Sequence, residues 1–359
     1  MKTSKMRKII AAVLALTLVL ALSACGGSGE NSGSTAASES PDTAKTFKVG
    51  IVQYMDHASL NQITESVQQE LDAKGQELGV TFDYKDYTEN GQGSADTLAQ
   101  IGAELVSDEV DIIVAIATPT AQTMMSATEG KDIPIVFSAV TDPVGAKIVS
   151  DLTTPGGNVT GTSDALNTNA ILDLMMAANP DTDTVGLLYS KSEDSSTQAI
   201  ADAKAYLDQK GIRYVEKTGT NTDEISSAAD ALIAEGVDAV FTPTDNTVMS
   251  AELAIYEKFT EAKIPHYCGA DSFALNGAFC GFGVDYANLG KETADMVVEI
   301  LANGADPATL SVKTFDNGIA TVNSDTCTAL GYDIETIKSA FAPYCTEVKT
   351  TSTQQEFNS

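Results

Sequence analysis

Asp111-Ile-Ile-Val-Ala-Ile-Ala-Thr-Pro-Thr120 reads as a strand that runs straight into a helix. Ile112 to Ile116 is rich in β-branched residues and too short for a buried helix, which predicts a strand inside a sheet. Thr118 then stands as a cap-like residue with Pro119 at the first helical position, opening a helix over Thr120–Thr128. The same alternation recurs on both sides. Before it lie a strand at Phe47–Gln53, a helix at Leu60–Leu78, a strand at Val80–Tyr87 and a helix at Ser94–Ser107. After it come strands at Ile133–Phe137, Thr184–Tyr189, Arg213–Lys217, Asp238–Thr242 and Ile264–Cys268, with helices at Ser195–Gln209, Asp223–Glu235 and Val248–Ala262 between the last four. Such alternation implies an α/β fold with mostly parallel sheets and helices on both faces.

Two four-strand sets, 47–160 and 164–284, fit two similar Rossmann-like lobes better than one very wide sheet. The join is Pro155-Gly-Gly-Asn-Val-Thr-Gly-Thr162, a short extended piece between glycines. A further apolar segment at Ala278–Val284, a helix at Asn288–Ala302 and an extended piece at Ser311–Asn323 imply that the chain crosses between lobes more than once. Several crossovers make a hinge. The expected division is 47–161 plus about 286–304 in lobe 1, and 162–285 plus about 305–345 in lobe 2, with a frayed tail over 346–359.

The N-terminus carries an address. Lys2, Lys5, Arg7 and Lys8 precede an apolar run from Ile9 to Leu22, too short to span a bilayer and typical of a secretory leader over 1–24. Leu22-Ser-Ala-Cys25 resembles a lipobox, in which Cys25 is acylated and becomes the mature N-terminus. Gly, Ser and Thr dominate the segment after the cysteine, so 25–46 is expected to be a flexible tether. The chain is therefore expected outside the cytoplasm, held to the membrane by lipid. Without the leader's four cations, 17 basic side chains face 50 acidic ones, a net charge of −33. That excess excludes nucleic acid as a partner. Cys268, Cys280, Cys327 and Cys345 permit two disulfides in three connectivities or four free thiols. No Cys-x-x-Cys occurs and His57 and His266 are the sole histidines, so neither a metal nor another cofactor is expected.

Ligands of open α/β sheets bind beyond the carboxyl ends of the strands. Those ends are polar here: Tyr54, Asp56 and His57 after the first strand, Thr118 after the third, and Ser138, Thr141 and Asp142 after the fourth. In the second set Asp245, Asn246 and Asp271 take the matching places. Any one of them is as easily a helix cap as a ligand contact; the set, two polar rims on a common cleft, is what argues for a site. Amides at Thr118 and Ser138 suit a carboxylate, Asp245 or Asp271 suits an ammonium, and Tyr54, Tyr286 or Phe273 can cover an apolar side chain. A small amino acid-like ligand fits that arrangement.

Lys48-Val-Gly-Ile-Val-Gln53 with His57, Phe137-Ser-Ala-Val-Thr-Asp-Pro-Val-Gly145 and Pro155-Gly-Gly-Asn-Val-Thr-Gly161, together with the lipobox, resemble the ABC-transporter substrate-binding lipoproteins of the tryptophan/tyrosine type. The resemblance covers about 47 to 335 and departs from the family at Ala58, where a proline is expected after the histidine. It implies a type I periplasmic-binding-protein fold, an ABC permease with its ATPase as partner, a monomer, and an amino acid ligand, aromatic or branched. By position it adds Asp164 to the binding residues. A sensing receptor of the same fold, or a nucleoside or sugar binder, are the alternatives; the absence of Trp weighs against sugar. An enzyme is disfavoured. No Gly-x-Gly-x-x-Gly follows the first strand, and neither a Walker loop nor a Gly-x-Ser-x-Gly elbow occurs.

Overall fold

The computed structural model describes residues 45–315 and 318–354. The leader, Cys25 and nearly all of the tether lie outside the described residues. In chain order the elements are β1 (Thr46–Gln53), α1 (Ala58–Leu78), β2 (Thr81–Asp83), β3 (Thr88–Asn90), α2 (Ala95–Ser107), β4 (Ile112–Ile116), α3 (Thr118–Ala127), β5 (Ile135–Ser138) and β6 (Val159–Ser163). Next come α4 (Thr168–Ala178), β7 (Thr184–Tyr189), α5 (Asp194–Lys210), β8 (Arg213–Thr218), α6 (Thr222–Glu235), β9 (Ala239–Thr242), α7 (Asn246–Met249), α8 (Glu252–Glu261), β10 (His266–Cys268), α9 (Asp271–Leu275) and β11 (Cys280–Gly283). The chain ends with α10 (Tyr286–Leu301), β12 (Lys313–Thr314), β13 (Ile319–Asn323), α11 (Ser324–Leu330), α12 (Ile334–Phe341) and β14 (Glu347–Thr351).

Two sheets result. The first has the order β12-β6-β5-β4-β1-β2, with β3 also against β1, and all its pairings are parallel. The second runs β14-β13-β11-β10-β9-β7-β8, parallel except between β11 and β13. β4, β5 and β6 are buried at every position, as strands covered by helices on both faces must be. One core joins the faces under α1 and α10 of lobe 1 to those under α6 and α8 of lobe 2, and separate clusters fill the opposite face of each sheet.

The structure differs from the expected elements in several places. The strand expected over Val80–Tyr87 is confined to β2, and β3 follows beyond it at Thr88–Asn90; β1 is long enough for both to share its edge. Val248–Ala262 breaks into α7 and α8 around Ser250 and Ala251. The lobe boundary also moves: β12 pairs with β6, so Lys313 and Thr314 lie in lobe 1's sheet and the last crossover falls between β12 and β13 rather than near 304. The tail expected to fray from 346 instead supplies β14, which pairs along all of β13; 355–359 lie outside the described residues. Cys268, Cys280, Cys327 and Cys345 are free thiols. Among the described residues, no helix is long and apolar enough to cross a membrane.

Gly161 shows how tightly β6 is set. A Cβ there would stand 2.1 Å from the Phe137 carbonyl oxygen and 2.6 Å from its ring, and a backbone carbonyl cannot yield. Gly161→Ala is expected to cost about 2 kcal/mol or more, seen as a lowered melting temperature by circular dichroism.

Candidate functional site

Between the lobes lies a narrow cavity whose free volume is about 30 Å³, room for little more than one or two waters in this arrangement of the lobes. Its walls come from segments that follow the carboxyl ends of strands: His57 after β1, Ala117 and Thr118 after β4, Ala139 and Thr141 after β5, Asp164 after β6. Lobe 2 contributes Thr244, Asp245 and Asn246 after β9 and Ser272 and Phe273 after β10, and Tyr286 enters from the start of α10. Ala117 and Ala139 hold positive φ values of 79° and 53°. Left-handed backbone at a non-glycine residue costs about 1–3 kcal/mol and gathers at ligand sites; here it turns the chain aside with side chains small enough to leave the cavity open.

Several polar groups around this space lack partners among the described residues. His57 Nδ1, Thr118 Oγ1 and Ser272 Oγ are buried without a hydrogen bond, each on a residue that lines the cavity. Leaving such an atom unpaired costs about 1–3 kcal/mol. The first amides of α3 are likewise beyond the reach of helical carbonyls, and Pro119 has no N–H to waste there. Burial pushes His57 down to about 4, opposed only in part by its hydrogen bond to Asn246, so the ring is neutral near pH 7.

Carboxylates occupy the other side. Burial pushes Asp164 up to about 6, although Thr141 Oγ1 at 3.0 Å and the Tyr286 hydroxyl at 3.3 Å donate to it. Asp245 is differently placed. One oxygen accepts from Val248 N at 2.9 Å and caps α7; the other accepts from Ser190 N and Ser196 Oγ, both at 2.7 Å. Burial raises it nonetheless, and burial together with the Asp245 charge raises neighbouring Glu193.

Side-chain hydrogen bonds span the cleft. Thr141 meets Thr244 at 2.8 Å, Ser59 donates to Asp271 at 3.1 Å, His57 meets Asn246 at 3.3 Å, and Gln122 donates to Asp194 at 2.7 Å. Each joins a lobe 1 residue to a lobe 2 residue.

Residues 48–342 match the model of the ABC transporter substrate binding protein family. The chain belongs to that family. A tyrosine-binding protein of Clostridioides difficile (strain R20291) is 33% identical over 330 residues, 91% of this chain and 93% of that one. A crystal structure of the ABC domain from Streptococcus pneumoniae in complex with L-Trp is 33% identical and covers 85% of this chain and 100% of its own, with a TM-score of 0.77. The ligand-free, open structure of a substrate binding protein with adhesive properties from Clostridium difficile, at 32% identity over 86% and 100%, gives a TM-score of 0.64. At 15% and 14% identity, a glucose-galactose binding protein and a binding protein with myo-inositol share the fold alone; it is the type I periplasmic-binding-protein fold. Substrate-binding proteins of this family are extracytoplasmic and are not enzymes.

Of the residues expected at the site from sequence, this family member brings His57, Thr118, Thr141, Asp164, Asp245 and Asn246 to the cavity. The other five sit elsewhere, each for a reason. Asp56 accepts from Asn90 and Gln53 on the surface, and the Tyr54 hydroxyl donates to the Gly93 carbonyl. Ser138 is in a buried hydroxyl cluster with Thr162 and Thr293, which fastens β5, β6 and α10 together. Asp142 accepts from Gly145 N in its own turn, and Asp271 holds Ser59. Of the three aromatic side chains expected to cover the ligand, Phe273 and Tyr286 line the cavity and Tyr54 does not. Leu60, Ser195 and Met249 also line it; they lie on helices, one step beyond the strand ends where polar residues drew attention.

Asp245→Ala removes a helix cap and two further buried hydrogen bonds. The expected result is a loss of about 2–4 kcal/mol of stability, measured by urea denaturation. An unchanged midpoint with lost ligand affinity would instead make Asp245 a direct ligand contact.

Proposed function

We propose that this protein captures an aromatic L-amino acid in the interlobe cleft and delivers it to the permease of an ABC importer, held to the membrane by lipid on Cys25. The observation that carries the reading is the cavity itself, which sets unpaired buried polar atoms beside apolar and aromatic walls at Leu60, Met249, Phe273 and Tyr286. The tyrosine-binding relative and the L-Trp complex support an aromatic ligand. The α-carboxylate is assigned to the first amides of α3 with Thr118, where the helix dipole favours an anion. The α-ammonium is assigned to Asp164, a buried carboxylate with no cation hydrogen-bonded to it.

The mechanism is closure. Ligand binds the open lobes, the three crossovers absorb the rotation, and the second lobe completes the shell. A ligand drives this only by binding the closed form better than the open one. Supplying partners to the orphaned atoms of the closed cleft is the differential interaction required.

In a panel of amino acids, L-Trp, L-Tyr or L-Phe is expected to raise the melting temperature; a shift from a nucleoside or sugar and from none of these would overturn the assignment. Asp164 supplies a second test. Below about pH 6 the ligand-free protein holds a proton on Asp164 that an ammonium must displace, so affinity falls as the pH drops, by about tenfold per unit. Titration calorimetry between about pH 5 and 8 measures this. Asp164→Asn is expected to weaken binding by about tenfold or more and to flatten the pH profile without lowering the melting temperature.

A further inference from the structure

We infer that His57 is the residue by which the cleft selects aromatic amino acids carrying a side-chain hydrogen-bond donor, an indole N–H or a phenol O–H, over those without one. The inference rests on the proposal of an aromatic ligand and goes beyond it to the choice among such ligands.

A chain of hydrogen bonds that starts in lobe 2 determines which face His57 shows the ligand. Glu193 Oε2 accepts from Asn246 Nδ2 at 3.0 Å and from Ser195 Oγ at 3.3 Å, and Oε1 accepts from Thr247 Oγ1 at 3.2 Å. With its amide nitrogen committed to Glu193, Asn246 turns Oδ1 toward His57 Nε2, 3.3 Å away. An amide oxygen only accepts, so Nε2 must carry the hydrogen. In a neutral imidazole the other nitrogen is then a bare acceptor. That nitrogen is Nδ1, which has no partner among the described residues, on a residue only 7% exposed that lines the cavity. The ring stays neutral because burial disfavours its charge.

The acceptor suits a neutral donor better than the ammonium. His57 is hydrogen-bonded to the Asn246 amide and directly to no carboxylate, whereas Asp164 is itself the kind of group an ammonium seeks. Leu60, three residues further along the chain from His57, gives the same part of the wall an apolar surface. A ring with a donor satisfies Nδ1; one without a donor buries it unpaired, and sites built around a hydrogen bond reject ligands that cannot make it. Glu193 does not line the cavity and is a positioning residue, holding Asn246 and through it the His57 tautomer.

The test is titration calorimetry with L-Trp, L-Tyr, L-Phe and 3-benzothienyl-L-alanine, in which sulfur replaces the indole N–H at nearly the same size. The native protein is expected to bind L-Trp over its sulfur isostere, or L-Tyr over L-Phe, by about tenfold or more. In His57→Leu that ratio falls to about one, while the donor-free ligand keeps its affinity within about threefold. Glu193→Leu, which removes the acceptor that holds the Asn246 amide, is expected to lower the ratio in the same way, an effect a merely structural role would not produce. A native ratio near one while L-Trp or L-Tyr binds overturns the inference and leaves the aromatic reading standing, as does a ratio that survives in His57→Leu. Should that variant not fold, the native ratios decide alone. Failure of all four ligands to bind overturns both readings.

Discussion

Parallel strands all end on the same edge of their sheet, and that one constraint organises this molecule. In each lobe the carboxyl ends of the strands carry the turns into the following helices, and the cavity is lined from those turns. Residues far apart in sequence, such as His57, Thr118 and Asp164, are thereby brought to one wall without any local signal linking them. The central strand β4 carries no polar side chain: it is Ile-Ile-Val-Ala-Ile, buried throughout. Chemistry is left to the turns because the strands are committed to packing.

Much of this was legible from periodicity. β7 and β1 lie within a residue of where β-branched runs placed them, since such runs have few other options. Pairing was harder to read. β12 is two residues long and becomes a strand only because β6 is there to receive it, and β14 is Glu-Val-Lys-Thr-Thr, with no apolar alternation to announce it. At the site, residue type was a fair guide to the rim but not to the direction a side chain takes. Asp142 and Asp56 have the same chemistry as Asp164, yet a nearby amide or asparagine claims each of them. Sequence does not say which carboxylate finds a local donor first.

The contacts across the cleft are made by small polar side chains. Thr141 with Thr244, Ser59 with Asp271, His57 with Asn246 and Gln122 with Asp194 are each worth about 0.5–1.5 kcal/mol net. Bonds of that size define the register in which the lobes meet without locking them. The cleft also carries the cost of polar atoms it cannot satisfy alone.

The order in which the sheets are completed bears on how the chain is made. Lobe 1 lacks α10 and β12 until Thr314 has been synthesised, and lobe 2 lacks β13 and β14 until Thr351. A polypeptide emerging from its N-terminus therefore cannot finish either lobe while most of its length is still to come. Each sheet awaits strands separated from their neighbours by long stretches of chain, as β12 is from β6, and such distant pairings form late. In this interleaved topology each lobe's sheet is completed only by strands that come late in the chain.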